Sequence, residues 1–332
     1  RNKNFSSNVH TENNFNILKT VGIYGPNNAG KTCLVKCIRS AKNILLNQKP
    51  RIMPNIFQES TICQLGITFL EEGREFSYDF WYDDKKEEYP YEKFAEITKD
   101  QYGNEKETVW LLKDIINGNC QYGDEDLLKM MPLISQSNLL FYLVDSSKFQ
   151  QMAEMKRIVT AFASRIDIVN MNNIPLKRTI NLMKNQNDLQ RKVVEFIKNS
   201  DLYMDDFEYV DMDKIRVKMD SDEEKPEEKA LDIPEQIMDQ IRLVSVYRGV
   251  AVPSVLFDST GTKKIAALAS YIIEGIEQGR ILVVDELDSS IHFKLTRAIV
   301  AMFNNELNTN AQMIFTVHDI NLMDCKKMFR KE

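Results

Sequence analysis

The chain has 332 residues, of which 43% are hydrophobic and 28% charged, and its formal net charge is −6 at pH 7. These fractions are ordinary for a globular protein and exclude a largely disordered chain. No run reaches the roughly 20 apolar residues that a membrane-spanning helix needs, so we expect no contact with a membrane. The negative net charge argues against a protein that coats nucleic acid.

The cysteines and the N-terminus point to the cytoplasm. The five cysteines are odd in number and scattered along the chain, which predicts reduced thiols rather than a disulfide framework. The sequence starts at Arg1 without an initiator Met and without the apolar core of a signal peptide. We therefore expect a cytoplasmic protein whose natural N-terminus has been trimmed.

The first motif along the chain is a complete G-x-x-x-x-G-K-T, from Gly25 to Thr32. A β-branched run, Thr20–Tyr24, precedes it, and apolar residues at helical spacing follow it. A loop between a strand and a helix directs backbone N–H groups and the positive end of the helix dipole at a polyphosphate. We expect Lys31 to reach the β- and γ-phosphates of a nucleotide and the Thr32 hydroxyl to ligate Mg²⁺. The predicted nucleotide-binding residues here are Gly25, Pro26, Asn27, Asn28, Ala29, Gly30, Lys31, Thr32 and Cys33.

The N-terminal segment is basic, although the chain as a whole is acidic. Residues 1–56 hold nine of the 43 basic side chains and one of the 49 acidic ones. A basic lobe of this kind fits either nucleic acid or an acidic protein partner, and the sequence leaves both open.

The remaining pattern predicts two parts of one α/β domain around a helical segment. Strand-like runs at 61–69 and 75–82 flank the hairpin tip 71–74, and a short strand is expected at 108–112. Apolar spacing becomes helical from 125 to 207, and an acidic connector covers 220–229. The predicted division is an N-terminal part of an ATPase head at 1–115, a helical insertion with the acidic linker at 116–235, and a C-terminal part of the head at 236–332.

The second half of the predicted site follows two apolar runs near the C-terminus. The strand-like run 281–284 ends in Asp285 and Glu286, which is the Walker B form. Asp285 is expected to hold Mg²⁺ through water, and Glu286 to orient and deprotonate the attacking water. A second buried strand, Gln312–Val317, ends at His318, which is the candidate for contact with the γ-phosphate.

A second phosphate-binding helix start is predicted just before the Walker B strand. Ser259 is a good N-cap, Gly261 allows a phosphate to approach the backbone, and Thr262 belongs to the same helix start. This order is that of an ABC signature loop, which one subunit closes over the nucleotide of another. Asp288 is expected to help align such a dimer, and His292 to orient the loop.

These motifs together resemble the ABC/SMC-like AAA-family ATPases of bacterial anti-phage and abortive-infection systems, similar to those of Septu and retron-associated loci. The resemblance covers the P-loop, the hairpin and nearly everything from 256 to 324; Phe257-Asp258-Ser259 stands where that family has E-S-S, and Phe293 replaces a Pro. It implies an α/β P-loop NTPase with an ABC-type head and a helical insertion, ATP and Mg²⁺ as cofactors, and a head-to-tail homodimer or higher oligomer. It further implies an effector protein, a nuclease or a toxin, from the same operon.

Two other functions stay open at this point. An SMC-class ATPase of DNA repair or chromosomes would carry long heptad arms, and the sequence has no extended heptad run. A nucleotide-binding scaffold could instead sequester a toxic effector with little turnover. An intact Glu286 favours hydrolysis over that scaffold.

Overall fold

The computed structural model describes residues 7–12, 15–57, 59–100, 103–145, 148–185, 187–200, 203–210 and 234–322. The acidic connector expected at 220–229, Cys325 and the end of the motif after Leu322 lie outside these ranges. The chain divides into two compact units. The first comprises residues 1–8, 19–26 and 169–332, and the second comprises 9–18 and 27–168.

In chain order the strands are β1 (Val9–Glu12), β2 (Phe15–Leu18), β3 (Thr20–Tyr24), β4 (Ile62–Glu71), β5 (Arg74–Asp83), β6 (Glu88–Lys99), β7 (Glu105–Asp114), β8 (Asn119–Tyr122), β9 (Ile166–Asn170), β10 (Asp206–Tyr209), β11 (Leu243–Tyr247), β12 (Val250–Pro253), β13 (Ile281–Asp285) and β14 (Gln312–Val317). The α-helices are α1 (Lys31–Leu45), α2 (Glu125–Met130), α3 (Leu140–Leu143), α4 (Gln150–Ser164), α5 (Lys177–Lys184), α6 (Asp188–Ser200), α7 (Glu235–Ile241), α8 (Ser254–Phe257), α9 (Thr260–Gln278) and α10 (Phe293–Phe303). None of the helices in the described ranges has the length and apolar composition to cross a bilayer.

A four-stranded sheet with the order β3-β14-β13-β9 carries the motifs of the first unit. Strand β14 runs parallel to both β13 and β3, pairing Val284 with Phe315 and Tyr24 with Val317. The strands are continuous apolar runs because parallel strands are covered on both faces. The carboxyl ends of β3, β14 and β13 therefore lie along one edge of the sheet.

Helix α9 forms the centre of the apolar core in the first unit. Its residues Ala266, Ala269 and Ile272 recur at helical spacing and are fully buried, and α5 and α6 pack against this helix. The Thr179 hydroxyl on α5 donates a hydrogen bond to the Ala266 carbonyl (2.8 Å). The helix ends where Gly279 takes the left-handed conformation, with φ of 63°. A separate antiparallel sheet of β10, β11 and β12 belongs to the same unit.

The second unit is built on a five-stranded antiparallel meander of β4 to β8. Glu72 and Gly73 join β4 to β5 with φ of 53° and 71°, the left-handed pair that suits a two-residue hairpin turn. The meander buries an ion pair on neighbouring strands: the Lys113 ammonium donates to the Glu92 carboxylate (3.0 Å), and neither side chain is exposed. Helices α1 and α4 pack together in this unit.

Most predicted elements are confirmed, and so is the α/β P-loop class. The strand and helix flanking the P-loop, the 71–74 hairpin, the strand near 110 and the two apolar strands near the C-terminus are all present. The prediction of a purely helical pattern from 125 to 207 is wrong, because β9 interrupts it and joins the central sheet. Strand β6 was not predicted, since its charged residues and Pro90 obscure the alternation. The division at 115 and 235 stays a prediction.

Candidate nucleotide-binding site

The P-loop follows β3 and runs into the first two residues of α1, Lys31 and Thr32. Gly25 and Pro26 belong to the first unit, and Asn27 onward belongs to the second. Gly30 is the N-cap of α1 with φ of 86°, a left-handed conformation that favours glycine. The loop residues Pro26 to Gly30 are exposed, whereas Lys31 is buried. No acidic residue stands in the first turn of α1, so the positive end of this helix is not neutralised by its own side chains.

The carboxylate of Asp285, at the carboxyl end of β13, is buried and held at both oxygens. The Thr316 hydroxyl donates to Oδ1 (2.8 Å), and the Asn170 amide donates to Oδ2 (2.9 Å). A carboxylate at this strand end is a ligand type that suits Mg²⁺, which keeps several waters and binds one or two carboxylates.

Glu286 adopts a backbone conformation that is unusual for a residue with a side chain, with φ of 58°. A left-handed residue of this kind costs about 1–2 kcal/mol. Two bonds to the neighbouring strand hold it: the Glu286 N–H donates to the Thr316 hydroxyl (2.8 Å), and the Leu287 N–H donates to the Thr316 carbonyl (3.0 Å). The Thr316 hydroxyl thus accepts from Glu286 and donates to Asp285, so one side chain orients both acids.

The segment after Walker B is tied to the end of β14. One oxygen of Asp288 accepts the backbone N–H groups of His318 (2.9 Å) and Asp319 (2.8 Å). These bonds fix the backbone at His318 immediately beyond β14, and its side chain is exposed. His318 therefore lies at the end of β14, the strand next to the one that carries Asp285. The role of Asp288 in a dimer stays a prediction.

The predicted signature segment begins α9 as expected. The Ser259 hydroxyl accepts the Thr262 N–H (3.1 Å) and lies 3.0 Å from the Thr262 hydroxyl. A Cβ at Gly261 would lie 2.8 Å from the Ser290 carbonyl oxygen, so the glycine also permits close packing within the chain. Ser290 itself has φ of 65°. A side chain at Gly261 would displace the segment that follows Walker B.

A buried carboxylate anchors the start of this segment to the small sheet. Asp258 accepts hydrogen bonds from the hydroxyls of Ser245 (2.6 Å), Tyr247 (2.9 Å) and Ser254 (2.6 Å). Three hydroxyl donors satisfy a carboxylate that would otherwise be costly to bury. Asp258 therefore fixes the backbone immediately before Ser259.

The other singled-out residues have simpler positions. His292 is the N-cap of α10, and its Nδ1 accepts the Lys294 N–H (3.1 Å). Cys33 is exposed in the first turn of α1, and Cys37 is half-buried on the same helix. Burial raises the pKa of the Cys37 thiol, which keeps it protonated. Within the described part of the chain, no group of three or more His, Cys, Asp or Glu could hold a metal ion.

Three important residues were missed by the sequence reasoning. Thr316 and Asn170 hold Asp285, and Asn172 donates its amide to Glu286 (2.5 Å). A polar residue inside an otherwise apolar strand is a signal that could have found Thr316. Asn170 is the last residue of β9, which lies in the segment predicted to be helical, so no sequence pattern indicated a role for Asn170 or Asn172.

Part of the chain is similar in sequence to a known protein family. Residues 166–324, just under half of the chain, match the sequence model of a family described as "AAA domain, putative AbiEii toxin, Type IV TA system". The matched range contains the strands that carry Asp285 and His318, and it begins after the P-loop. None of the curated proteins matches the sequence.

The solved structures that are similar to this chain include SMC head domains, each with low sequence identity. The SMC head domain from Thermotoga maritima has 12% identity and a TM-score of 0.35, covering 93% of this chain and 85% of that one. An SmcHead bound to the C-winged helix domain of ScpA has 12% identity and a TM-score of 0.44, with 96% and 89% covered. An Smc head domain with an extended coiled coil, bound to the C-terminal domain of ScpA from Pyrococcus furiosus, has 13% identity and a TM-score of 0.37, with 96% and 86% covered.

Proposed function

We propose that this protein binds ATP with Mg²⁺ and hydrolyses it. The observation that carries the proposal is the shared edge of the four-stranded sheet. There the chain enters the P-loop at Gly25, His318 directly follows β14, and β13 ends at Asp285 with Glu286 next to it. Ligand and catalytic groups collect outside the carboxyl ends of parallel strands, where helix starts and loops face the ligand.

Each residue type suits one part of the hydrolysis. Lys31 would contact the β- and γ-phosphates, and the backbone N–H groups of Gly25 and of Asn27 to Cys33 would surround them. Thr32 and Asp285 would hold Mg²⁺, which neutralises the charge that develops on the phosphate oxygens. Glu286 would take the proton of the attacking water, and His318 would contact the γ-phosphate.

The exposed start of α9 supports action on a second copy of the chain. Ser259 and Gly261 head this helix, and Asp258 holds their backbone in place. The start of a helix can bind the phosphate of a nucleotide held by another subunit, because the positive end of the helix dipole favours an anion. We therefore infer a homodimer or higher oligomer in which Ser259, Gly261 and Thr262 complete the partner's site.

The match to a family described with a toxin and a type IV toxin–antitoxin system supports a role in bacterial defence against phage. In this proposal the ATPase regulates an effector protein, a nuclease or toxin encoded in the same operon, in the cytoplasm. Nucleic acid is less favoured, because three of the nine basic side chains in the N-terminal segment contact groups within the chain. The buried Lys19 donates a hydrogen bond to the Asn305 carbonyl (2.9 Å), and Lys42 donates one to the Ile166 carbonyl (2.5 Å). Lys49 forms an ion pair with Glu87 (3.0 Å).

The test compares two substitutions that separate binding from chemistry. Glu286→Gln should leave ATP binding intact and lower Mg²⁺-dependent phosphate release about 10²- to 10³-fold, as removal of a general base does. Lys31→Ala should instead weaken ATP binding. Glu235→Gln, an exposed acid on α7, is the matched control and should change neither quantity. Turnover in Glu286→Gln equal to that of the unmodified chain would exclude Glu286 as the base.

A further inference from the structure

The side chain of Asn172 uses both ends of its amide on the residues around Walker B. Its Nδ2 donates to Oε2 of Glu286 (2.5 Å), and its Oδ1 accepts the hydroxyl hydrogen of Ser289 (2.7 Å). Because a carboxylate only accepts and the hydroxyl donates here, the amide can satisfy both partners in one orientation. We propose that Asn172 is a positioning residue that holds the Glu286 carboxylate for hydrolysis. This proposal rests on the hydrolysis proposed above.

The backbone around Asn172 is built to keep this amide in place. The residue lies in a single 3-10 turn, Met171–Asn173, that directly follows β9, and the Met171 side chain is fully buried. The Asn172 N–H donates to Oδ1 of Asn170 (2.8 Å), while the amide of Asn170 holds Asp285 (2.9 Å). Two asparagines at a spacing of two residues therefore hold the two acids of Walker B separately.

Ser289 extends the contact to the predicted signature helix. The Lys264 ammonium on α9 donates to the hydroxyls of Ser289 (3.1 Å) and Ser290 (3.0 Å). The connected series is thus Lys264, Ser289, Asn172 and Glu286, all within the first unit. Any displacement of the start of α9 changes the support of Asn172, so the position of Glu286 depends on the helix that is proposed to contact the partner's nucleotide.

The position of Glu286 matters because a general base acts only within hydrogen-bond reach of its water. A glutamate has three rotatable side-chain bonds, and Glu286 is only half-buried. The hydrogen bond from the Asn172 amide favours one rotamer of the Glu286 side chain. Loss of that bond leaves substrate binding unchanged and reduces the fraction of bound ATP that reacts.

Asn172→Ala should therefore lower kcat about 10- to 100-fold, the range expected for a lost hydrogen bond to a charged group, with an unchanged Kd for ATP. Asn172→Asp keeps the acceptor for Ser289 but loses the donor to Glu286, and it should lower kcat at least as much. Asn173→Ala is the matched control, since Asn173 is an exposed neighbour in the same turn. Equal kcat values for the Asn172→Ala and Asn173→Ala chains would overturn the proposal.

A cycle of substitutions separates positioning from a general loss of structure. In a Glu286→Gln background, Asn172→Ala should cause little further loss of kcat, because the group that it positions is already inactive. Ser289→Ala should cause a smaller loss than Asn172→Ala, and the two together should be no worse than Asn172→Ala alone. Multiplicative losses in both cycles would show that Asn172 acts independently of Glu286 and Ser289 and would overturn the proposal.

A measurement without nucleotide keeps this proposal distinct from hydrolysis itself. In nuclear magnetic resonance spectra of the ¹⁵N-labelled chain, Glu286→Gln should shift the side-chain amide signals of Asn172 and leave those of Asn173 in place. A chain without ATPase activity that shows this shift would refute the proposed hydrolysis and support the contact. An active chain in which the Asn172 signals do not move would overturn the positioning role and leave hydrolysis standing.

Discussion

Replacing Thr316 by Val should cost about 3 kcal/mol of unfolding free energy. The side chain is fully buried, and valine has nearly the same shape, so the change removes a hydroxyl without leaving a cavity. The lost bond to the Asp285 carboxylate contributes about 1.5–3 kcal/mol, and the lost bond from the Glu286 N–H about 1 kcal/mol. A valine methyl would also face a buried carboxylate oxygen.

Thr296 on α10 provides the matched control for this substitution. It is also buried, but its hydroxyl has no hydrogen-bond partner among the residues that the structure describes. Thr296→Val should therefore be neutral or slightly stabilising, because it removes an unsatisfied polar group. The two variants differ in position but make the same chemical change.

Hydrogen exchange read by mass spectrometry measures this difference locally. For Thr316→Val, a loss of about 3 kcal/mol should raise the slowest exchange rates of peptides from β13 and β14 about 10²-fold. Thr296→Val should leave these rates within a factor of about three. Indistinguishable rates in the two variants would refute the view that the Thr316 hydroxyl holds the two Walker B acids.

The other predictions concern the dimer, the loop and the dependence on pH. Mixing Lys31→Ala with Ser259→Asp subunits should restore part of the ATPase activity, because one composite site of the mixed dimer carries neither change. No recovery in the mixture would mean that each subunit works alone. Gly30→Ala should weaken ATP binding measured by titration calorimetry, since φ of 86° strains any side chain. Hydrogen bonds from Arg74 lower the pKa of Glu96 below its ordinary 4.5, so this stabilisation is full above that pH and is lost as the pH falls through the folded-state value. Urea midpoints should therefore show an advantage of the unmodified chain over Arg74→Met that shrinks below about pH 4.5, and a constant advantage would contradict the assignment.

The P-loop and the Walker B strand could be predicted because their rules are local. Gly30 must accept a left-handed backbone, and a run of apolar residues from 281 to 284 buries itself on both faces of a sheet. Ser259 as an N-cap needs only its own helix, and the structure has that hydrogen bond. These features depend on residues within a few positions of one another.

Tertiary structure alone decided which side chains support the two acids. Asn170 lies 115 positions from Asp285 and Asn172 lies 114 from Glu286, and they meet because β9 joins the sheet beside β13. The hydrophobic periodicity of a sequence does not indicate which strands become neighbours in a sheet. Strand β9 is also short and follows directly after helix α4, so its apolar residues continued a helical pattern. The residue types of the motifs could therefore be recognised from short stretches of sequence. The hydrogen bonds that orient Asp285 and Glu286 depend instead on which strands are neighbours in the sheet.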